Sequence, residues 1–309
     1  MTTPTVVVVG DANPDLILAG DVVPRFGQAE QLLDSASLLL GGSGAIVACG
    51  LARLGVPTAL VAVVGDDVYG DFVRDSLRTA GVDLRWLATD RSTPTGLSVI
   101  LSGDDRAILT LPGTIAITDA RALPSYDDLA GVRHVHSASM FLLTALAPVL
   151  PAWLGSVRGR GISTSVDTNW DPQETWQVAR EVIADADVFL PNVAELLAVT
   201  GLTDVEAAGS AIAAAGTSVA LKNGAAGGIV WTPDGGRATA DVVPVDVVDT
   251  TGAGDSFDAG FLAAYVDGHP QAECLRQAVA AGSLSTRAAG GTASQPTADE
   301  LARALSVSP

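Results

Sequence analysis

Short apolar runs, each about as long as a β-strand, alternate along this chain with Ala-rich segments that stop at glycine. Thr5–Val9 is β-branched throughout and ends at Gly10, whereas Ser43–Leu54 has the composition of a helix and stops before Gly55. A run that is apolar at every position is typical of a strand buried on both faces, as in a parallel sheet. The alternation therefore predicts an α/β fold with a mostly parallel central sheet and right-handed crossovers.

The same pattern continues along most of the chain, and the last third is helical. Further strands are predicted at Thr58–Val64, Val132–His136, Ile162–Val166, Val188–Leu190 and Val219–Leu221. Helices are predicted at Val68–Ala80, Thr144–Val157, Thr175–Ala184, Val193–Val199, Val205–Ala215, Ala253–Val266, Gln271–Ala289 and Thr297–Leu305. No internal repeat is visible, and we predict a single domain over residues 1–309.

Two segments interrupt this alternation. Asp15–Leu40 and Thr95–Leu111 contain short strand-like runs joined by Gly, Asp and Pro. In the second segment, Gly103-Asp104-Asp105 suits a hairpin turn between Leu97–Leu101 and Ala107–Leu111. We predict a small separate sheet from residues 15–40 and 95–111. It could cover a site as a lid, form an ordinary β-excursion or provide a dimer surface.

The charge balance limits the partners of the chain. Its 35 acidic and 17 basic side chains give a net charge of −18 at pH 7. Such a surface repels phosphate backbones, so we predict no nucleic-acid partner and no anionic membrane partner. Cys49 and Cys274 lie in Ala-rich apolar stretches, which predicts buried free thiols in a reducing compartment. The chain shows no signal-peptide pattern and no membrane-length apolar run, so a cytoplasmic location is predicted.

The most informative stretch is DTTGAGDSF, residues 249–257. Gly252, Ala253 and Gly254 are small enough for a ligand to touch their backbone. They lie at a helix start, where N–H groups lack intrahelical acceptors and feel the positive end of the helix dipole. This arrangement predicts an anion hole, and Asp255 in the first turn would accept a proton from an attacking hydroxyl. The alternative is that Asp255 only caps the helix.

Two further motifs lie near the N-terminus. The sequence GGSGA, residues 41–45, opens the first long helix as a second backbone cradle, although such turns are often only structural. Asn13 and Asp15 follow the first strand, at the end of the sheet where open α/β folds bind ligands. A carboxylate accepts two neighbouring hydroxyls, which suits a polyol, and the alternative is an ordinary turn.

These motifs, together with Pro191–Glu195 and Leu221–Gly224, resemble in order and spacing the ribokinase-like, or PfkB, family of carbohydrate kinases. The resemblance covers essentially the whole chain. It implies a ribokinase-like three-layer sandwich with a small β-sheet lid, which often also forms a homodimer interface. The implied activity is ATP-dependent phosphorylation of a hydroxyl on a small sugar, with Mg²⁺ as cofactor.

The resemblance also implies a role for each matching residue. Asp255 corresponds to the catalytic base beside the anion hole of Gly252, Ala253 and Gly254. Asn192 and Glu195 correspond to an element that organises the phosphates and Mg²⁺, the latter largely through water. The remaining correspondences are Lys222, Gly224 and Gly227 for ATP, Asp15, Gly41, Gly42 and Ser43 for the acceptor sugar, and Asp249 and Thr251 for a monovalent cation such as K⁺.

One position departs from the family pattern. The Gly-Gly motif of the family usually carries an Asn shortly after the glycines as a sugar ligand, and this chain has Ile46 there. Because Ile46 cannot bind a hydroxyl, we expect ribose to be a poor acceptor. Asn169, in DTNWD, is the candidate to supply the missing contact, unless it is only a loop residue.

Two rival functions remain open. A nucleoside kinase of the same fold would place a base against the lid, where Phe26 and Leu33 are candidates. A non-catalytic sugar-binding regulator is the other rival, and the intact Asp255 argues against it. Phosphorylated acceptors are expected to be poor, because the lid segments offer only Arg25 and Arg106 as basic residues.

Other polar residues are assigned no chemistry. His134 and His136 lie two residues apart on a strand without a third ligand, which favours a structural role over a metal site. Ser139 lacks the sequence context of a nucleophile.

Overall fold

The computed structural model describes residues 3–27, 30–103 and 106–307. Its strands are β1 (Val6–Val9), β2 (Asn13–Ala19), β3 (Ser35–Gly41), β4 (Thr58–Gly65), β5 (Leu87–Asp90), β6 (Leu97–Ser102), β7 (Arg106–Leu111), β8 (His134–Ser137), β9 (Ser163–Val166), β10 (Val188–Phe189), β11 (Ser218–Lys222), β12 (Gly228–Trp231) and β13 (Arg237–Ala240). Its helices are α1 (Ser43–Arg53), α2 (Val68–Thr79), α3 (Thr114–Ile117), α4 (Leu150–Arg158), α5 (Gln177–Ala184), α6 (Val193–Thr200), α7 (Val205–Ala214), α8 (Ala253–Val266), α9 (Gln271–Ser285) and α10 (Ala298–Val307).

A large sheet runs through the molecule in the strand order β13-β12-β11-β10-β9-β8-β1-β4-β5. The strands from β11 to β5 pair in parallel, whereas β12 pairs antiparallel with both β11 and β13. This confirms the predicted α/β class and the mostly parallel sheet. The antiparallel edge β12–β13 and the edge strand β5 were not predicted.

Strand β1 explains why its sequence is apolar at every position. All four of its valines are fully buried. Val6 and Val8 pack into a core shared with α1, α8 and α9, whereas Val7 and Val9 pack into a second core shared with α4 to α7. The sheet is therefore the middle of three layers.

A second sheet has the order β3-β2-β6-β7, and its strands fall in the predicted lid segments. Strand β2 pairs antiparallel with β3 and parallel with β6. The small separate sheet is thus confirmed. Of the predicted hairpin turn, Asp104 and Asp105 lie outside the described residues.

Several predicted helix limits are wrong. The helix predicted at Thr144–Val157 begins only at Leu150, after a short 3₁₀ turn at Ala147–Val149. Pro148 and Pro151 lie at this junction, and proline is tolerated in the first turn of a helix but not in its interior. The helix predicted at Gln271–Ala289 ends at Ser285, because Thr286 O accepts the N–H groups of Val248 and Asp249.

Within the described ranges, no single helix is long and apolar enough to span a membrane. Helices α6 and α7 meet that criterion only as a pair, and they are bent by 63° with respect to each other.

Candidate functional site

A cavity of about 360 Å³ opens where the carboxyl ends of β9, β10 and β11 meet the first turns of α1 and α8. Its lining brings together residues from five separate parts of the chain, namely Ser43, Asp167, Asn169, Asn192, Glu195, Lys222, Gly224, Gly254 and Asp255. Polar groups collect at this edge because the carboxyl ends of parallel strands lie together. All of these residues except Asp167 were predicted from the sequence.

The predicted anion hole forms the start of α8. Gly252 caps the helix with a φ of +69°, a conformation that favours glycine. A Cβ at Gly252 would lie 2.5 Å from Gly291 Cα, so the loop after α9 packs directly against the cap. The N–H of Ala253 already donates to Thr250 O at 3.2 Å. Ala253 therefore shapes the turn, and the helix start still presents backbone N–H groups to the cavity.

Asp255 lies in the first turn of α8, with its carboxyl facing the cavity. Burial raises its pKa to about 7, and the negative charge of Asp167 adds to the effect. The ammonium of Lys222 and a hydrogen bond from Ser43 act in the opposite direction. A carboxyl with a pKa near neutrality is suited to accept a proton at physiological pH.

Lys222, the only lysine of the chain, is bound by two carboxylates. Its Nζ donates to Asp167 Oδ2 at 2.6 Å and lies 2.8 Å from Asp258 Oδ1. Burial opposes the charge on the ammonium, but Asp167 and Asp258 outweigh it and raise the pKa of Lys222. Burial also raises the pKa of Asp258 well above its usual value, whereas the pKa of Asp167 is held low, because Lys222 overcomes the cost of its burial. The ammonium of Lys222, which the family resemblance implies for ATP, is thus also paired with two carboxylates.

Asn192 and Glu195 form a capping box at the start of α6. Asn192 Oδ1 accepts the N–H of Glu195 at 3.0 Å, and Glu195 Oε2 accepts the N–H of Asn192 at 2.9 Å. The spacing Asn-x-x-Glu is the signature of this cap. Burial raises the pKa of Glu195 to about 7. The pair therefore stabilises a helix start, and it also lines the cavity.

Asn169 connects the far wall of the cavity to α1. Its Nδ2 donates to Ser43 Oγ at 3.0 Å and to Ser139 Oγ at 2.9 Å. Asn169 and Ser139 both adopt positive φ, +55° and +54°. Asn169 thus lines the cavity and is held by Ser43 and Ser139, and its contact with an acceptor stays a prediction.

Asn13, Asp15 and Gly41 lie at the base of the lid. Asn13 Nδ2 donates to Asp15 Oδ1 at 2.9 Å. A Cβ at Gly41 would fall 2.1 to 2.3 Å from the carboxyl atoms of Asp15, so glycine is required for this position of Asp15. Gly42, with a φ of +85°, caps α1 beside them.

Ile46 does not line the cavity. It is buried, and its Cδ1 would lie 2.5 Å from a Cβ placed at Gly291. Ile46 therefore packs against the loop that supports Gly252. This geometry does not support the prediction that Ile46 faces the acceptor. The direction of a side chain on α1 is set by its position around the helix, not by its distance in the sequence from the glycines.

A second cavity, of about 400 Å³, adjoins the first and shares Lys222, Gly224 and Gly254 with it. Its walls are mostly apolar and include Val242, Val243, Pro244, Val245, Val247, Phe257 and Val279. Gly227 also lines it, with a φ of +80°, and a Cβ there would lie 1.9 Å from Ala240 O. The size and apolar walls suit a flat heteroaromatic ring.

Asp249 organises the loop before α8. Its Oδ1 accepts the N–H and the hydroxyl of Thr251 at 2.9 and 2.8 Å, and its Oδ2 accepts the N–H of Gly290 at 2.8 Å. The carboxylate thus joins the DTTGAGDSF motif to the loop that packs on Gly252.

A family model described as "pfkB family carbohydrate kinase" matches residues 3–298. The chain belongs to this family. It is 33% identical over 299 residues to the ATP-dependent ribose-1-phosphate kinase of Halopiger xanaduensis, covering 96% of each chain. It is 30% identical to the ribokinase of Arabidopsis thaliana, covering 99% of this chain and 82% of the relative. A structure of that ribokinase complexed with ribose and ATP superposes with a TM-score of 0.86 at 27% identity, over 99% of this chain and 100% of that chain.

Four buried polar residues at or near this cavity were assigned no role from the sequence, namely Asp11, Ser139, Asp167 and Asp258. Asp11 Oδ1 accepts the N–H of Gly44 at 3.0 Å, and its burial raises its pKa. Asp167 follows directly on β9 and Asp11 follows β1 after Gly10, and this position at the end of a strand was the signal available for them.

Proposed function

We propose that this protein transfers the γ-phosphoryl group of ATP to a hydroxyl of a small sugar, with Asp255 as the general base. The observation that carries the proposal is the placement of Asp255. Its carboxyl, with a pKa of about 7, lies in the first turn of α8 directly after the glycines and lines the cavity that adjoins the apolar one.

Each step follows from groups of this chain. Asp255 accepts the hydroxyl proton as the hydroxyl oxygen attacks the γ-phosphorus, and the bond between the γ-phosphorus and the β–γ bridging oxygen breaks to release ADP. Backbone N–H groups at the start of α8 stabilise the charge on the transferring group. Asp15 and Asn169, held by Asn13 and Ser43, orient the acceptor hydroxyls.

The nucleotide would occupy the apolar cavity with its base and extend its phosphates past Gly224 toward Gly254. The Arabidopsis ribokinase structure, which contains ATP, supports this choice of donor. The first cavity, which Asp255 lines, also suits Mg²⁺. Carboxylate oxygens of Asp167, Asp255 and Asp258 lie within 4.8 Å of one another, and Glu195 lines the same cavity. Glu195 would hold the metal through water, and the metal would neutralise the phosphates.

A monovalent cation is the second proposed ion, next to Asp249 and Thr251. The carboxylate of Asp249 already joins Thr251 to Gly290, and a cation in this loop would fix the anion hole more firmly. Replacing K⁺ by tetramethylammonium should change kcat or KM. An unchanged rate would mean that the hydrogen bonds of Asp249 suffice.

The test is ADP release by the full chain over a panel of ribose, fructose, deoxy sugars and nucleosides. Acceptor-dependent ADP release that is lost in Asp255→Asn is expected. Asp127→Asn, which removes an exposed remote carboxylate, is the matched control and should retain activity. ADP release that ignores the acceptor, or survives in Asp255→Asn, would contradict the proposal.

The nucleoside kinase alternative is not favoured. Phe26, one of the two lid residues that suggested a base-binding surface, is fully exposed, and Leu33 is 39% exposed. Neither lines a cavity beside Asp255. The panel above also separates a kinase from a binding protein that has lost catalysis.

We further propose that the protein forms a homodimer through the lid. The lid exposes Ile108, Leu109 and Leu111 on its edge strand β7, and a second copy of this surface would cover them. Light scattering should report a dimer that Leu109→Asp dissociates and Leu202→Asp, at a remote exposed leucine, does not.

We also propose that the protein is located in the cytoplasm. The buried free thiols Cys49 and Cys274 support such a reducing compartment.

A further inference from the structure

Asp258 is a fully buried acidic residue to which neither the sequence motifs nor the family resemblance assigns a role. It lies three residues after Asp255 on α8, so the two side chains lie on the same side of the helix. Asp258 itself is not part of the lining of either cavity. Its two carboxyl oxygens lie 2.8 and 2.9 Å from Nζ of Lys222, which lines both cavities. The most direct connection from Asp258 to a ligand is therefore this ammonium.

The side chain of Lys222 lies against the first turn of α8, at the boundary of the two cavities. A Cβ at Gly254 would lie 3.5 Å from Lys222 Cδ and 3.7 Å from Nζ, which is ordinary van der Waals contact. A nucleotide whose base occupies the apolar cavity would extend its phosphates across this boundary toward Asp255. The phosphate that comes nearest to Asp255 is then the transferring γ-phosphate.

The ammonium retains a donor for that phosphate. An ammonium has three N–H donors. Within the described ranges, Nζ donates to Asp167 Oδ2 at 2.6 Å and to Asp258 Oδ2 at 2.9 Å. With two donors held by carboxylates, the ammonium cannot rotate freely, so the third N–H keeps a fixed direction.

Stability alone is a poor reason for this arrangement. Replacing a buried ion pair by apolar side chains of similar volume is often neutral or stabilising. Along α8, all of which the structure describes, Asp258 is the one charged side chain among the buried positions, and the others are small or apolar. A buried charge that departs from the pattern of its helix beside a cavity is typical of a functional group.

We propose that Asp258 is a positioning residue for phosphoryl transfer. Together with Asp167 it holds the ammonium of Lys222 beside Gly254, where the ammonium donates to the γ-phosphoryl group. Without Asp258 the ammonium could turn toward Asp255, which lines the same cavity, and would then pair with the base. This inference rests on the proposed function and adds a residue to it.

The first test compares two nucleotides that differ in the γ-phosphoryl group. Titration calorimetry of the full chain with Mg²⁺ measures the affinities for ADP and for the non-hydrolysable ATP analogue AMP-PNP. Asp258→Leu should weaken the binding of AMP-PNP by on the order of 10- to 100-fold and leave that of ADP nearly unchanged, because a charge-assisted hydrogen bond to the γ-phosphate is lost. Asp258→Asn, which keeps one acceptor oxygen, should lose less. Equal weakening of both nucleotides, or of neither, would overturn the inference.

Two controls separate this role from a role in packing. Val266→Ala removes buried side-chain volume near the end of the same helix and should leave the ratio of the two affinities unchanged. A similar change of the ratio in Val266→Ala would show that it follows from helix packing and would refute the role of Asp258. Circular dichroism checks the fold of each variant, and Asp258→Asn, which keeps the shape of the side chain, provides the comparison if Asp258→Leu is unfolded.

A double-mutant cycle tests whether Asp258 acts through Lys222. In the Lys222→Met background, Asp258→Leu should not weaken the binding of AMP-PNP further, because the group that Asp258 holds is already absent. Additive losses would mean that Asp258 acts on the nucleotide or on its metal directly, and they would overturn the inference.

These binding measurements do not depend on turnover. If no acceptor supports phosphoryl transfer but Asp258→Leu selectively weakens AMP-PNP, the proposed function fails and the positioning of Lys222 stands. If transfer occurs and the ratio of the two affinities is the same in Asp258→Leu as in the wild type, the positioning role fails and the kinase activity stands.

Discussion

Two groups of buried polar residues lie side by side in this molecule and differ in their balance of charge. The first is the charged cluster of Lys222, Asp167, Asp258 and Asp255, which borders the cavity. The second is the histidine–serine ladder of Ser163, His134, Ser165 and His136 on β8 and β9. The ladder forms on the adjacent parallel strands β8 and β9, whereas the charged cluster joins the end of β9, the end of β11 and the start of α8.

The ladder is held together by neutral hydrogen bonds, although His136 Nε2 is buried without a hydrogen-bond partner among the described residues. His134 joins Ser163 and Ser165 at 2.8 and 2.7 Å, and His136 joins Ser165 at 2.8 Å. Burial lowers the pKa of both histidines to about 3, so they are neutral at physiological pH. In the charged cluster, one ammonium faces several carboxyls. That cluster can attract a proton or a metal ion, and the ladder cannot. Buried polarity alone therefore does not mark a site; an excess of one charge beside a cavity does.

The largest effect is expected for the base. Asp255→Asn keeps the shape of the side chain but cannot accept the proton, so kcat should fall by about 10²- to 10⁴-fold. Steady-state kinetics with the best acceptor, beside Asp127→Asn, measure this. A variant that retains more than about a tenth of the wild-type kcat would place the base elsewhere.

The second prediction concerns the ion pairs of Lys222. Lys222→Met leaves Asp167 and Asp258 buried without their cation, which should lower the free energy of unfolding by about 3–5 kcal/mol. Urea denaturation measures it. Lys222→Arg, which keeps the charge, should lose less. Equal stability of Lys222→Met and the wild type would mean that the carboxyls are already neutral.

Stability should also depend on pH through Asp255. Its pKa is raised to about 7 in the folded protein, so its contribution to stability is complete below its unfolded value and is lost as the pH rises through 7. Asp255→Asn should therefore be more stable than the wild type at pH 8, by roughly 1–4 kcal/mol, and nearly equal to it at pH 4. Urea midpoints at the two pH values decide this. A variant that is less stable at pH 8 would show that the carboxylate is favourable in the fold.

The smallest effect is expected in the ladder. His134→Phe leaves the hydroxyls of Ser163 and Ser165 without their partner and should cost about 1–3 kcal/mol of stability, with little change in kcat. The double variant with Ser165→Ala should recover part of the loss, because it removes an unsatisfied group. A loss of kcat without a loss of stability would make the ladder part of the site.

Local patterns predicted the parts of this fold that depend on local physics. The strand β1 was evident because it is apolar on both faces, and the start of α8 because glycines precede an acidic first turn. Asn192 and Glu195 were identified through the family resemblance, and their spacing is also that of a helix cap.

Contacts between distant segments were not predictable in this way. Lys222 and Asp167 are 55 positions apart, and nothing near either residue in the sequence indicates the other. The orientation of Ile46 depends on the packing of α1 against the loop at Gly291, and a comparison of motifs contains no information about this packing. The same applies to Asp258, which directly follows the motif, about one helical turn after Asp255, and is fully buried.

The contact of Gly252 with Gly291 sets the order in which function can appear during synthesis. The proposed acceptor ligands Asn13 and Asp15 are synthesised early, and the loop that packs on Gly252 is made almost 280 residues later. At the usual elongation rates of about 5–20 residues per second, the two are separated by some tens of seconds. During that interval a nascent chain has its first strands but lacks the loop that supports the proposed anion hole. We therefore expect the proposed phosphoryl transfer to begin only after this loop has been made.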